Sequence, residues 1–307
     1  MRLLPISLVL AFLLTGCSDQ GFETLVFEDT FVQADVELST DVLFVIDDSA
    51  SMAEEQDRLA SNFSAFVEVL AASYADWQIG VVTTDVDAET AGVLRGGILT
   101  ANTPDLDAAF RAAIVAGTDG ARDEQGLRAA VFAVDPARNP GFVRGGARFN
   151  VVFVSDEDDQ SPADVSEYLN RIGNVAVQGY AAHALVGDLP AGCASGTSAA
   201  DPGGRYLSAA ETTLGFVESI CADDYTGLLT RVGLDVTGLT DTFALSRLPS
   251  EDTLEVRVDD VLLPQRAVDG WTYSLGDNAI VFHGRAVPRA GMGIAVSYKK
   301  WLGPEPE

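Results

Sequence analysis

Three oxygen-bearing side chains follow an apolar run early in the chain. Asp47, Ser49 and Ser51 come directly after residues 42–46, which are all apolar and rich in β-branched types. Such a run is typical of a strand that is buried on both faces of a parallel sheet. A carboxylate and two hydroxyls on the turn after it are hard oxygen ligands, which suit Mg²⁺, Mn²⁺ or Ca²⁺. The spacing therefore predicts that these residues bind a divalent metal, with Mg²⁺ as the first expectation.

A second acidic strand end is placed where it could complete this set. Residues 149–154 form another largely apolar run, and Ser155 and Asp156 follow it directly. Ligands of open α/β sheets bind at the carboxyl ends of the strands, which meet at one edge when the strands are parallel. Asp156 is therefore expected to converge with Asp47. The two carboxylates would repel each other without a cation between them.

Helix capping is the simpler explanation of the first turn. Asp and Ser are frequent caps because their side chains accept hydrogen bonds from free backbone amides at the start of a helix. Capping explains one such residue, but it does not explain Asp47, Ser49 and Ser51 together with a second acidic strand end. We therefore favour metal binding, with Asp48 and Ala50 expected to point away from the ion and to tolerate substitution.

Several classes of enzyme lack their essential residues in this sequence. A phosphatase of the haloacid dehalogenase type needs Asp-x-Asp after its first strand, and Ser49 stands where the second carboxylate is required. The chain contains no G-x-x-x-x-G-K-[ST] loop and no G-x-S-x-G elbow. The two histidines, His183 and His283, lie in apolar, strand-like segments and are interpreted as structural. We therefore expect no enzymatic activity and assign no catalytic residue.

The remaining pattern predicts two kinds of architecture in succession. Up to about residue 238, apolar runs typical of buried strands alternate with segments of helical periodicity, such as residues 54–73. This alternation predicts an α/β fold with a doubly wound, mostly parallel, Rossmann-like sheet. From residue 239 onward, short alternating runs are separated by turn residues, which predicts a small antiparallel, β-sandwich-like domain. Alternation within residues 22–40 suggests one more strand for that domain, and residues 92–100 suggest a short hairpin.

The Asp47-x-Ser49-x-Ser51 turn, taken with Asp156, resembles the metal-ion-dependent adhesion site of von Willebrand factor A domains. The resemblance extends over about residues 40–238. It implies that the domain fills most positions around the ion and leaves one for an acidic residue of a protein partner. The implied function is adhesion through a bound metal.

The same resemblance implies a threonine ligand from an intervening loop. Thr118 matches that threonine in its order along the chain and in its position before a helix. The loop between Thr118 and the helix is longer than usual in the family, so Asp119 and Glu124 remain alternatives.

The net charge limits the classes of partner. With 46 acidic and 19 basic residues, the formal charge is −27. A chain this negative repels nucleic acid and anionic lipid head groups. It should also repel an acidic protein. A bound dication would invert the local charge at the site, so an acidic partner residue could still bind there.

The first residues and the cysteines indicate export. Residues 3–14 are almost wholly apolar but too short to span a bilayer, and they lead into a lipobox-like Leu-Thr-Gly sequence before Cys17. We expect a signal peptide at residues 1–16, a lipid on Cys17 and a tether over residues 17–39. The mature chain would then be anchored in the cell envelope, in the periplasm or on the outer face. The remaining pair, Cys193 and Cys221, is expected to form a disulfide in that oxidising compartment.

Two functions therefore remain open for a lipoprotein with an A-type domain at residues 40–238 and a β-domain at residues 239–307. The first is an adhesion module that engages a protein partner through the metal. The alternative is a structural calcium-binding protein, in which the acidic loops at residues 85–87 and 156–159 hold Ca²⁺ for stability alone. Replacing Ser49 or Asp156 should abolish partner binding in the first case and lower the melting temperature in the second.

Overall fold

A computed structural model of the chain describes residues 25–34, 38–120, 123–196 and 198–301. The expected signal peptide, the lipidation site at Cys17 and part of the tether lie outside these residues. Within the described ranges, no helix is both long enough and apolar enough to cross a membrane.

The described residues form fourteen strands and six α-helices. In chain order, those up to the end of the α/β unit are β1 (Val26–Val32), β2 (Ser39–Ile46), α1 (Ala53–Ala72), β3 (Asp76–Thr83), α2 (Leu106–Ile114), α3 (Gly126–Ala133), β4 (Arg148–Ser155), α4 (Val165–Val175), β5 (Tyr180–Val186), β6 (Cys193–Ser195), β7 (Ser198–Ala200), α5 (Gly204–Thr213), β8 (Val217–Ser219) and α6 (Thr226–Thr237). Those that follow are β9 (Thr242–Ala244), β10 (Glu255–Val258), β11 (Val261–Leu262), β12 (Trp271–Ser274), β13 (Ala279–Phe282) and β14 (Gly293–Lys299).

The main sheet is parallel and carries helices on both faces. Its strand order is β3-β2-β4-β5-β8, and every pairing is parallel. The side chains of β2 alternate between two apolar cores. Phe44 packs with residues of α1, α2 and α6 on one face, and Val45 packs with residues of α3, α4 and α5 on the other. The predicted doubly wound α/β fold is therefore confirmed, and the apolar run at residues 42–46 is fully buried.

Arg144 forms ion pairs at the edge of the sheet where the parallel strands begin. Arg144 donates from Nε and from its backbone amide to the two carboxylate oxygens of Asp41, each at 2.7 Å. Its Nη1 also pairs with Asp76 at 2.7 Å. Asp41 is fully buried, so its charge depends on Arg144 for compensation.

The segment from residue 187 to the end of the α/β unit contains elements that the sequence pattern did not resolve. The three-residue strands β6 and β7 form a hairpin, and α5, β8 and α6 follow. The predicted disulfide is confirmed, because Cys193 in this hairpin is bonded to Cys221. The bond joins the hairpin to the connection between β8 and α6.

The prediction of a hairpin within residues 92–100 is wrong. This segment consists of turns, and Leu99 forms only an isolated antiparallel bridge with Ile79. Gly96 and Gly97 both adopt positive φ angles of 72° and 78°, which turn the backbone away from an extended path.

The C-terminal strands form two antiparallel sheets around a common apolar core. One sheet has the order β1-β14-β10-β11 and the other has the order β12-β13-β9. Strand β1 pairs with β14 over its whole length, so the strand suggested within residues 22–40 is present. The core of these sheets includes Val69 of α1 and Leu234 of α6, so the sheets pack against the helices of the α/β unit.

Candidate metal centre

Asp47 lies at the centre of the candidate site. It follows the last residue of β2 and is fully buried. One carboxylate oxygen accepts a hydrogen bond from the Ser49 backbone amide at 2.8 Å, and the other accepts one from the Ser155 hydroxyl at 2.6 Å. Burial raises the pKa of Asp47, and these two hydrogen bonds oppose the rise. Asp47 therefore joins its own turn to the end of the neighbouring strand β4.

The two predicted hydroxyl ligands are on the open side of this turn. Ser49 Oγ and Ser51 Oγ are 3.2 Å apart, and both residues retain solvent-exposed surface. Helix α1 begins at Ala53, and no side chain caps its N-terminus. The capping interpretation therefore does not account for Asp47, Ser49 or Ser51.

Asp156 converges with this turn, as the strand pattern predicted. Its carboxylate lies near enough to the Ser51 side chain for the serine to lower the pKa of Asp156. The residue is only 6% exposed, yet its Oδ1 atom has no hydrogen-bond partner. Burial is the main cause that raises the pKa of Asp156 to about 6, and the nearby charges of Asp47, Glu157 and Glu55 add to the effect. This carboxylate is held close to other negative charge without a donor for one of its oxygens.

Thr118 lies in a loop beside the turn, but its hydroxyl forms no hydrogen bond with the other four candidates among the described residues. Gln56, which is 1% exposed, donates from Nε2 to the backbone oxygens of Asp47 and Gly117, each at 2.9 Å. This bridge fixes the Thr118 loop next to the end of β2. Among the described residues, no hydrogen bond joins the half-buried Thr118 hydroxyl to Asp47, Ser49, Ser51 or Asp156.

Glu124 is buried at the same edge of the sheet. Its side chain has no exposed surface, its Oε2 atom is hydrogen-bonded to the Thr84 hydroxyl, and its Oε1 atom has no partner. Burial first, and then the charge of Asp47, raise the pKa of Glu124 to about 8. Of the alternatives to Thr118, this residue is the one that the fold places among the site carboxylates.

Two further acidic residues of the site are not apparent from the Asp-x-Ser-x-Ser spacing. Asp48 is half-buried, and its unpartnered Oδ1 atom lies against Gly120, where an added β-carbon would come within 2.5 Å of it. It is therefore not a freely solvated residue, although the expectation that it tolerates substitution is untested. Glu55, at the start of α1, is 3% exposed and accepts a hydrogen bond from Ser198 at 2.5 Å, while its Oε2 atom has no partner. Only the tertiary packing of these positions identifies them.

The chemistry of this donor set suits a hard dication. Buried carboxylate oxygens without donors are costly unless positive charge compensates them. Asp48, Glu55, Glu124 and Asp156 each carry one such oxygen. In the described part of the chain, no three His, Cys, Asp or Glu side chains are gathered tightly enough to form a metal site by themselves. Of these four residues, Asp156 is the one that lies near both Asp47 and Ser51, so the residues that could hold an ion together are Asp47, Ser49, Ser51 and Asp156.

Comparison with known proteins finds solved structures with a similar fold but no match by sequence. No protein-family model matches the chain, and no curated protein matches its sequence significantly. The pilus adhesin SpaC from Lactobacillus rhamnosus GG superimposes with a TM-score of 0.51 at 11% identity. The match covers 89% of this chain and 41% of the adhesin, so the chain spans less than half of that protein's length. At this identity the likeness shows a shared fold alone.

A second solved structure is more distant. Proximal thread matrix protein 1 from the mussel byssus, solved with zinc in its MIDAS motif, is 14% identical over 71% of this chain and 52% of its own length. Its TM-score of 0.39 is too low to support any argument about this chain.

Proposed function

We propose that this protein is an extracytoplasmic binding module that engages a protein partner through a divalent cation. The ion is held by Asp47, Ser49, Ser51 and Asp156. The observation that carries the proposal is the buried Asp156 Oδ1 atom, which has no hydrogen-bond donor although the nearby charge of Asp47 raises the pKa of this carboxyl group. A cation bound there would supply the missing compensation.

The open side of the turn supports a role in binding a partner. Ser49 and Ser51 keep exposed surface, whereas Asp47 and Asp156 are buried behind them. An ion on the hydroxyls would therefore face solvent, and Mg²⁺, with Mn²⁺ or Ca²⁺ as alternatives, prefers at least six oxygen ligands. In this proposal an acidic residue of the partner fills a position that the domain leaves free, and no catalytic step is involved.

The location in this proposal follows from the N-terminal sequence. A lipid on Cys17 would anchor the chain to a membrane of the cell envelope. The fold shared with a pilus adhesin is in keeping with a protein that acts at the cell surface.

The structural-calcium alternative has less support from residues 156–159, which form one of the two acidic loops on which it relies. Asp159 accepts hydrogen bonds from the Leu127 backbone amide at 3.0 Å and from Arg205 Nε at 2.9 Å. Asp158 accepts one from the Arg205 backbone amide at 2.8 Å. Protein donors therefore already bind both of these carboxylates, whereas Asp156 has a buried oxygen without a partner.

The first experiment is calorimetric titration of Mg²⁺, Mn²⁺ and Ca²⁺ into the full chain after metal removal by a chelator. The comparison is an Asp47→Ala/Asp156→Ala double variant. We expect saturable binding at one site in the wild type and none in the variant. An absence of binding by the folded wild-type protein would contradict the metal centre.

A second experiment separates adhesion from a structural role. Ser49→Ala removes one proposed ligand from an exposed position and leaves the buried contacts of Asp47 with Ser155 in place. An adhesion module should remain folded and lose its metal-dependent capture of a surface protein. A fall in melting temperature as large as that caused by chelation would instead favour the structural alternative.

A further inference from the structure

Glu124 is a buried carboxylate that the predicted ligand set does not use. It lies two residues before α3, with no exposed side-chain surface and one carboxylate oxygen unpartnered. None of the ion pairs formed by the described residues includes it. A buried carboxylate in this condition is strongly unfavourable unless a positive group comes close to it.

The fold holds this carboxylate between the two strands that flank Asp47. Thr84, which follows β3, is hydrogen-bonded to Glu124 Oε2. On the other side, the Gln160 backbone amide donates to the Glu124 backbone oxygen at 2.6 Å, and Gln160 belongs to the loop that follows Asp156. Since β2 lies between β3 and β4, these contacts place Glu124 at the edge where Asp47 ends its strand.

Thr118, the residue that the family resemblance favours, has none of these features. Thr118 is only half-buried, whereas the side chain of Glu124 is fully buried. The Thr118 loop is fixed through its backbone, by Gln56 at Gly117 and by Asp48 at Gly120, and these contacts do not involve the threonine hydroxyl.

We propose that Glu124, rather than Thr118, is the group by which the segment before α3 holds the divalent cation. This inference rests on the proposed function, because it concerns the same ion. Glu124 acts as a charge in the outer coordination shell of the ion, behind the ligands already named. It is placed there because the carboxylates of Asp47, Asp156 and Glu124 are not gathered into one tight group. Its unpartnered oxygen remains a cost in the metal-free protein and is compensated when the dication binds.

The test is the affinity of the full, metal-stripped chain for Mg²⁺, Mn²⁺ and Ca²⁺, measured by calorimetry in three forms of the protein. Glu124→Gln keeps the shape of the side chain and removes its charge, and Thr118→Ala is the matched control from the other candidate position. We expect Glu124→Gln to weaken binding of the tightest ion by about tenfold or more, and Thr118→Ala to change it by less than about threefold.

Thermal unfolding distinguishes this role from a purely structural one. If Glu124 serves the ion, Glu124→Gln should melt at a higher temperature than the wild type in chelator, and added ion should stabilise it less. If Glu124 only supports the fold, the ion should raise the melting temperature of the variant as much as that of the wild type, which would overturn the inference.

The possible failures are distinguishable. Loss of ion binding in Thr118→Ala with unchanged binding in Glu124→Gln would reject the role of Glu124 and leave the proposed function standing. An absence of ion binding by the wild type would reject both.

Discussion

Replacing Asp156 by Asn should have opposite effects on the protein with and without its ion. Asp156 is 6% exposed, and burial together with neighbouring carboxylates raises its pKa from 3.8 to about 6. At pH 7.5 this shift corresponds to about 3 kcal/mol of destabilisation of the charged, metal-free protein. Asn keeps the shape of the side chain and removes its charge. The metal-free variant should therefore be more stable than the wild type by up to about 3 kcal/mol.

The effect should also depend on pH in a defined direction. Because the pKa of Asp156 in the folded state lies above its unfolded value, the destabilisation develops as the pH rises from about 4 through about 6. At pH 4 the carboxyl group is largely protonated in the folded protein, and the variant should exceed the wild type by only about 0.6 kcal/mol.

Urea unfolding in chelator and in excess metal measures both effects. At an ion concentration of about 100 times Kd, the wild type should gain about 2.7 kcal/mol and Asp156→Asn should gain almost nothing. The control is Asp158→Asn, two residues along the same loop, whose carboxylate accepts backbone hydrogen bonds from Asp159 and Arg205. This control should keep the response to metal. An Asp156→Asn protein that is less stable than the wild type in chelator, or that gains equal stability from metal, would refute the reasoning.

Three further predictions concern the scaffold. Burial lowers the pKa of His183 to about 3, so the folded protein keeps it neutral while the unfolded chain is protonated below its ordinary pKa. Its stabilising effect is present above pH 6.5 and is lost as the pH falls toward 3, which amounts to about 1.3 kcal/mol between pH 7 and 5.5. In urea unfolding at both pH values, the free energy of unfolding of His183→Gln should not show this loss between pH 7 and pH 5.5. The same loss in the variant and the wild type would contradict the prediction. Arg144→Met leaves the buried Asp41 without its partner and should lower the free energy of unfolding by about 3–5 kcal/mol, while addition of Asp41→Asn should restore part of that loss. Replacing Cys193 and Cys221 by Ser opens a loop with a sequence separation of 28 residues. Chemical denaturation without reductant should show a loss of about 3.5 kcal/mol, and equal stability of both forms would count against the bond.

Local sequence patterns were sufficient to predict the strand that leads into the candidate site. The apolar run at residues 42–46 predicted β2 because a strand covered on both faces needs apolar side chains at every position. The structure confirms this, with Phe44 and Val45 in opposite cores. The alternating runs near the C-terminus predicted β10 and β14 for the related reason that each has one buried face.

Elements with short or weakly periodic sequences could not be predicted in this way. Strands β6 and β7 have three residues each and consist largely of small side chains, so they show no usable alternation. Helix α5 begins at Gly204 and contains several Thr and Ser residues with low helix propensity. These elements are held by contacts with distant parts of the chain, such as the bond from Cys193 to Cys221.

The sequence by itself determined the parallel sheet and the convergence of Asp47 and Asp156, because strand periodicity fixes which ends of parallel strands meet at one edge. It could not choose between Thr118 and Glu124, since both precede the same helix and both carry oxygen. Only the tertiary structure distinguished their environments, by burying Glu124 between Thr84 and the Gln160 loop and leaving Thr118 half-exposed. Burial depends on residues that are far apart in the chain, and it determines which carboxylates carry an oxygen without a hydrogen-bond partner.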